Sequence, residues 1–475
     1  MKILLTGATG YIAQRLLPVL LDQGHEVVCC VRDVRRFNTE AYQDKNISVV
    51  EADLVKKDTL SSLPRDIDAA YYLVHSMSTQ GDFGKSEERS AKNFVEYIAT
   101  GSATQIIYLS GIVNERELSA HLSSRKNVES ILGQATAKLT TLRAAIIVGS
   151  GSASFEIIRD LVEKLPVMVA PKWLYTKCQP IAIRNVVQFL SGVLAKESTF
   201  GKHFDIYGPA ILTYKEMLLG FAEVRGLKRT IVTVPVMTPR LSSYWLYFVT
   251  STSYTLAKNL VDSMKIDVIA TPNDLAGSIG IQLIDYKTAI GMAFDKIEQN
   301  LVLSSWSGAM HDKGSEFDFD KLVKVPRFGC FKDRKTRKII DAASAVDRIL
   351  AIGGDSGWYY ANWLWEFRGF LDKLFGGVGL NRGRKNRNVL DAGDVLDFWR
   401  VVYVNKDEGR LLLYAEMKLP GEAWLEFKVS GDRSELVQTA TFRPLGLAGR
   451  LYWYAVLPFH YFIFNGMIRR ITKGL

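Results

Sequence analysis

The chain opens with a short apolar run, Lys2–Leu5, then a glycine-bearing turn, then Gln14–Gln23, where Leu16, Leu17, Leu20 and Leu21 recur at helical spacing. Gly24 ends that helix, and Glu26–Val31 is apolar enough for a buried strand. Further strands are expected at Ser48–Val50, Ala69–Val74, Gln105–Leu109 and Leu139–Leu142, with helices at Ser86–Thr100 and Arg125–Gln134. Strands alternating with helices build right-handed βαβ units, so the pattern predicts an α/β, doubly wound parallel sheet covered on both faces. After about residue 150 the alternation loosens. Ser154–Leu165 and Ile183–Leu194 read as helices, Val167–Val169 as extended chain, and 203–290 as segments capping the first domain.

The period then changes. Beyond a polar, charge-rich stretch at 307–320, the runs Leu411–Glu416, Ala423–Val429 and Leu436–Phe442 alternate in strand fashion. Pro420-Gly421 and Gly431-Asp432 separate them, which predicts antiparallel pairing. Leu451–Ile471 closes the chain as a helix. The expected organisation is a first domain over 1–306, a linker at 307–320, and an α+β domain over 321–475 with a curved sheet around a terminal helix.

Charge supports that division. The 475 residues carry 60 Lys and Arg against 50 Asp and Glu, a net +10. Residues 1–320 hold 34 of each sign, so the excess lies in 321–475, with 26 basic, 16 acidic and six of the nine Trp. An apolar share of 48% excludes disorder and collagen-like classes for the whole chain. Cys29, Cys30, Cys178 and Cys330 form no C-x-x-C pair and read as core thiols of a reducing cytoplasm. The N-terminus runs straight into a strand rather than a cleavable signal, so a cytoplasmic location is expected.

Strand, Gly7-x-x-Gly10-x-x-Ala13, then helix is the context in which such a turn binds a pyrophosphate. Gly7 allows the sharp turn, Gly10 allows close backbone approach, and the helix N-terminus supplies amides and its dipole. Arg32 follows the second strand where NAD-binding chains carry an acid, and its guanidinium suits the 2′-phosphate of NADP. Arg35 and Arg36 stand near enough to help, while Asp33 keeps NAD possible. Asp53-Leu54, after the third strand, offers a carboxylate to an adenine amino group.

Thr6–Ala13 (TGATGYIA), the VRD ending the second strand, the AD after the third, and Tyr108-Leu109-Ser110-Gly111 resemble the atypical short-chain dehydrogenase/reductase superfamily, NmrA-like or extended branch. Gly149–Phe155, Gln179–Ile183, Tyr207-Gly208-Pro209 and Leu212-Thr213-Tyr214 continue the likeness over roughly residues 1–300. The resemblance implies a Rossmann domain, a bound NAD(P), and a substrate pocket built from segments after about residue 150. It assigns cofactor contacts to Gly7, Thr9, Gly10, Tyr11, Ile12, Arg32, Asp53, Leu54 and Ser110. The superfamily works with Ser, Tyr and Lys, the last two as Tyr-x-x-x-Lys. Here Ser110 fits the serine, but His121 stands in the tyrosine place and Arg125 in the lysine place, with Glu129 four residues on. An imidazole can donate a proton, whereas a guanidinium holds a ribose or phosphate but does not cycle protons. The departure leaves three readings open: an oxidoreductase acting on an apolar or amphipathic small molecule, a non-catalytic NADP sensor of the NmrA-like type, or an isomerase or epimerase. If His121 and Arg125 merely begin a solvated helix, the catalytic assignment falls.

Other candidates for the substrate side are Ser150, Ser152, Ser154 and Glu156 after the sixth strand, His75 and Ser76 after the fourth, and Tyr175. No H-E-x-x-H, paired Cys/His set or P-loop supports metal or nucleoside-triphosphate chemistry. The C-terminal series, from Gly353–Tyr360 through Asp397-Phe398-Trp399-Arg400 to Leu451–Tyr454, resembles an uncharacterised bacterial domain often found behind an atypical short-chain dehydrogenase. Its order looks like the START or helix-grip class. Its rings either fill a core or line a pocket. Glu416, Glu422 and Glu426 beside Lys418 and Arg400 suggest cross-strand pairs on a solvated face, and the glycines near Gly376 have a phosphate-binding look. Arg382, Arg384, Lys385 and Arg387 read as a solvated loop rather than a nucleic-acid or acidic-lipid contact. Leu451–Ile468 holds no formal charge, but Pro458, His460 and Asn465 interrupt it. A helix packed into its own domain is expected there, with peripheral membrane contact as the other reading.

Overall fold

The computed structural model describes residues 1–34, 37, 42, 45–74, 83–113, 120–234, 264, 266–298, 325–326, 330–375, 377–380 and 390–473. They form two units, one of the residues up to 298 and one of those from 325 onward. The expected linker, 307–320, lies outside the described residues.

The first unit is built on a seven-stranded parallel sheet. Its strands are β1 (Lys2–Thr6), β2 (Glu26–Val31), β3 (Ile47–Glu51), β4 (Ala69–Tyr72), β5 (Gln105–Gly111), β6 (Lys138–Ala144) and β7 (Lys202–Ile206), ordered β7-β6-β5-β4-β1-β2-β3. Helices α1 (Ala13–Asp22), α2 (Phe83–Ile98), α3 (Ala120–Leu132) and α5 (Ile183–Gly192) accompany the sheet, with α4 (Ala153–Lys164) following β6. The central strands β1, β2 and β4 are buried at nearly every position because both faces are covered. Ile3, Leu5, Val27 and Cys29 pack with α1 and α5, while Leu4, Val28, Cys30 and Tyr72 pack with Phe94 of α2 and Leu132 of α3. Cys29 and Cys30 thus point to opposite faces as buried free thiols, and burial pushes the Cys30 thiol up to about 12.

The helix read from Arg125 begins instead at Ala120. After β6 a separate core joins α4, α6 (Tyr214–Val224) and α7 (Tyr286–Glu298). Phe155, Phe221 and Phe294 meet there with ring centroids 5.4–5.6 Å apart.

The second unit is an antiparallel sheet of β8 (Phe331–Lys338), β9 (Val395–Leu396), β10 (Trp399–Asn405), β11 (Arg410–Ala415), β12 (Gly421–Val429) and β13 (Glu435–Pro444), ordered β8-β13-β12-β11-β10-β9. Helices α8 (Ala342–Leu350) and α9 (Asn362–Leu374) lie between β8 and β9, and α10 (Gly446–Lys473) ends the chain. The rings largely fill the core: Trp358, Trp365, Phe398, Trp399 and Phe464 lie in one buried cluster with α10. One sequence expectation is overturned here. Arg400 and Glu416 do not pair on a solvated face; both are buried, joined at 2.5 Å, with Arg400 also donating to the Gly393 carbonyl. Arg400 of β10 stands opposite Tyr414 of β11, and Glu416, just past the end of β11, reaches it diagonally. Among the described residues no helix is long and apolar enough to cross a membrane.

Candidate functional site

Because the first sheet is parallel, the carboxyl ends of β1, β2, β4 and β5 share one edge, and the strand order reverses between β1 and β4. The chain leaves β1 there through Gly7. Its φ of +66° is left-handed, and a Cβ would lie 2.8 Å from the Leu73 carbonyl oxygen just after β4. The Gly10 amide donates to the Gly7 carbonyl at 2.7 Å, and a Cβ on Gly10 would crowd that same oxygen at 2.9 Å. The turn therefore demands both glycines by itself. It delivers Ile12 to the N-cap of the ten-residue helix α1, where no side chain caps the helix and the first turn carries no acid. The Gln14 and Arg15 amides donate to the Gly10 and Ile12 carbonyls at 3.0 and 3.1 Å, so this end offers an external anion the Ile12 and Ala13 amides and the helix dipole, a donor set that fits the diphosphate of a dinucleotide. Thr9 is half-buried on this turn.

Tyr11 turns its side chain to the protein. Its ring lies 4.0 Å from the Arg15 guanidinium, and a Cβ on Gly149 would fall 2.7 Å from its hydroxyl. Burial pushes the phenol up to about 12. Arg15, which the sequence reading missed, is itself buried and donates to the Tyr11 and Ser150 carbonyls at 3.2 and 2.7 Å. It ties the glycine turn to the turn after β6. Three of the four polar candidates there build that turn. Ser150 gives its carbonyl to Arg15; Ser152 caps α4, accepting from the Phe155 amide at 3.2 Å; Glu156 accepts from the Gly151 amide at 3.1 Å. Burial raises the Glu156 carboxyl above its usual range, with Arg159 acting against the rise. Ser154 instead lines an apolar cavity of about 30 Å³ with Ile157, Met168, Trp173 and Leu218.

Arg32 is exposed at the end of β2, and a carboxylate stands close by. Glu51, the last residue of β3, pairs in register with Val31 and accepts from the Val34 amide at 3.1 Å. Arg35 and Arg36 lie outside the described residues. Asp53 accepts from the Val55 amide at 3.0 Å through one oxygen, and Leu54 is buried in the core with its carbonyl taken by Asn93.

Ser110 is the penultimate residue of β5 and is buried. Arg125 folds back from α3 so that Nη1 donates to the Leu109 carbonyl at 3.2 Å, while the Tyr108 hydroxyl reaches the Arg125 carbonyl at 3.5 Å. The structure thus brings Arg125 to the main chain beside Ser110. Glu129 is engaged elsewhere, in a two-point pair with Arg143 of β6 at 2.7 and 3.1 Å. Below them Glu87 of α2 is buried and accepts from the Ser124 hydroxyl, a contact no local pattern announced. His121 lies on the first turn of α3 with its side chain outside the described residues, as are His75 and Ser76 altogether. Tyr175 is exposed, with its hydroxyl 3.0 Å from Thr233 and Lys215 5.4 Å from its ring. The Thr233 bond, then Lys215, draws its phenol below the ordinary value. Among the described residues no bond joins it to Ser110 or Arg125.

In the second unit the glycine loop is closed. Gly377 and Gly379 wrap the buried Asp372 carboxylate, which accepts from the Gly379 and Lys418 amides at 2.8 and 2.6 Å. The protein's own anion occupies the position that looked suited to phosphate. Gly376 and the basic loop Arg382, Arg384, Lys385 and Arg387 lie outside the described residues.

Residues 7–148 match the family described as NAD(P)H-binding, and residues 329–467 match a protein family of unknown function, DUF2867. A curated relative, the photosystem II assembly factor Ycf39 of Synechocystis sp., is 33% identical over 69 residues, which span 14% of this chain and 21% of that protein. Two solved structures share the fold of the first unit. A nucleoside-diphosphate-sugar epimerase of Staphylococcus aureus gives a TM-score of 0.51 at 14% identity, over 61% of this chain and 99% of that one. The triphenylmethane reductase of Citrobacter sp. gives 0.51 at 18%, over 62% and 100%. The first unit therefore contains an NAD(P)-binding domain of Rossmann type.

Proposed function

We propose that the chain is an NADP-preferring oxidoreductase of the atypical short-chain type, acting on an apolar small molecule that carries a hydrogen-bond acceptor. The reading rests on Arg125 bonding the main chain next to Ser110, at the strand edge that also bears the glycine turn. A nicotinamide dinucleotide supplies hydride transfer when bound. In this reading Ser110 Oγ donates to the substrate carbonyl oxygen and the His121 imidazole gives the proton. Arg125, whose buried Nε has no acceptor among the described residues, holds a ribose or phosphate oxygen. The apolar walls of the small cavity beside Ser154 favour an apolar guest, and the Trp173 indole N–H at its edge is buried without an acceptor among the described residues.

The order of the second unit, one strand, two helices, a five-strand meander and a long helix, supports the helix-grip reading. We assign it a supporting role in this activity.

Turnover of NADPH against a panel of carbonyls, quinones and enones tests the proposal. Ser110→Ala is expected to lower kcat by about tenfold or more with little change in cofactor affinity. Arg32→Ala is expected to weaken NADP by about tenfold and NAD hardly at all; equal weakening refutes the preference. A second reading, a dinucleotide sensor, draws on the missing Tyr-x-x-x-Lys pair and on the Arg125 guanidinium being held by main chain. Tight NADPH binding without turnover of any panel member selects it.

A further inference from the structure

The helix α10 is apolar around most of its circumference, and its own sheet covers only part of it. Trp453, Phe464, Met467, Ile468 and Ile471 are buried, while Leu447, Leu451 and Tyr454 are 62–72% exposed. From Leu451 to Ile468 there is no charged residue. A helix apolar on all sides is normally enclosed, so the bare side calls for an occupant. The helix α9 repeats the arrangement. Trp365 and Gly369 face the core, and Trp363, Phe367, Phe370 and Leu374 stand 55–66% exposed at helical spacing.

The two bare stripes are neighbours. At the start of α9 the Tyr360 ring lies 5.1 Å from Phe462, and Gly466 is packed against that ring. At the other end Arg368 and Asp372 bond Lys418. Two residues on, the Pro420 carbonyl accepts from Leu445, just before α10, and abuts Gly449. The start of α9 therefore meets α10 near Phe462 and Gly466, and its end is tied through Lys418–Pro420 to the start of α10, so the exposed apolar side chains of the two helices adjoin as one apolar ridge. Its ends are basic: Lys418, Arg443 and Arg450 are exposed at one, Arg469 and Arg470 at the other. Arg443 reaches Glu422 only at 3.5 Å in an exposed pair. The net positive charge of the whole chain resides in this third of the sequence.

We propose that this ridge seats the C-terminal unit on the surface of an anionic lipid bilayer. Large aromatic side chains enter the headgroup boundary, and arginines at both ends meet lipid phosphates. Lipid fits the ridge better than a second copy of the chain, because a symmetric pairing of basic-ended ridges sets arginines against arginines. The contact lies in the membrane plane, since no described helix is suited to crossing. It is independent of the oxidoreductase reading.

Flotation of the full chain with vesicles of phosphatidylcholine containing about one-third phosphatidylglycerol tests it, with phosphatidylcholine alone as the comparison. The chain is expected to float with the anionic vesicles, less with the neutral ones, and less again as salt rises. Phe367→Ser combined with Phe370→Ser should reduce partitioning by about tenfold or more at an unchanged melting temperature. Should that pair disturb folding, Leu451→Ser serves the same purpose. Arg443→Glu with Arg450→Glu should abolish the preference for anionic vesicles. No flotation at low salt, or full flotation of the serine variants, overturns the proposal. Light scattering that shows a dimer dissolved by the serine variants overturns it in favour of self-association.

Discussion

Two glycine-rich turns, one in each unit, look alike as sequence and serve opposite ends. Gly7 and Gly10 shape a bend whose helix begins uncapped and without an acid in its first turn. Gly377 and Gly379 shape a bend that closes on the buried carboxylate of Asp372. In both cases the missing Cβ lets backbone amides crowd together, and crowded amides need a negative partner. Among the described residues no acidic side chain is bonded to the first turn, while the second carries its own. Glycine spacing thus says where amides converge; the nearest acid decides whether an external ligand is wanted.

Removing the internal anion is the strongest way to break the comparison. Asp372→Ala leaves the Gly379 and Lys418 amides without their acceptor in a buried place, which should cost about 2–4 kcal/mol. The loss should appear as a lower melting transition of the second unit with dinucleotide affinity unchanged. Gly7→Ala attacks the other turn. The left-handed φ and the 2.8 Å approach to Leu73 should cost about 1–3 kcal/mol. Here dinucleotide binding should fall with stability, which calorimetry on both properties checks.

The units also differ in their response to acid. His460, packed between Trp453 and Phe464, is held by burial, then by Lys335, at about 4 against an ordinary 6.5, with Asp333 pulling the other way. The folded imidazole stays neutral while the unfolded one takes a proton. Stability of the second unit should therefore fall as pH drops from 6.5 toward 4 and level off below. Urea titrations across that window should show the slope, and His460→Phe should flatten it.

The parts of the chain that announced themselves were those whose signal is local. β1, the turn, α1 and β2 follow from a continuous apolar run, two glycines and a leucine stripe. Contacts between distant segments left no such mark. Arg15 bonds Ser150 across 135 positions, and Glu51 meets Val34 only because β2 and β3 lie side by side. Strand β8 escaped notice because its inward positions include Asp333, Lys335 and Arg337, which erase the apolar alternation. The Arg400–Glu416 pair misled in the same way: two charges on neighbouring segments read as surface, yet both are buried and paired.

The smallest expected change gives the sharpest comparison. Gln14 sits in the first turn of α1, where no acid is present, and Gln14→Glu adds a charge at almost constant shape. An acid near a helix N-terminus is favourable by about 0.3–1 kcal/mol, so the variant should melt slightly higher. The same carboxylate would stand where the first turn awaits a diphosphate, so dinucleotide affinity should drop by about three- to tenfold as stability rises. Opposite movements of the two quantities are what an open anion site requires, because one charge relieves the helix end and repels the ligand. Affinity that stays constant while stability rises would mean that the amides of α1 do not hold the phosphates. The two glycine turns would then be alike after all.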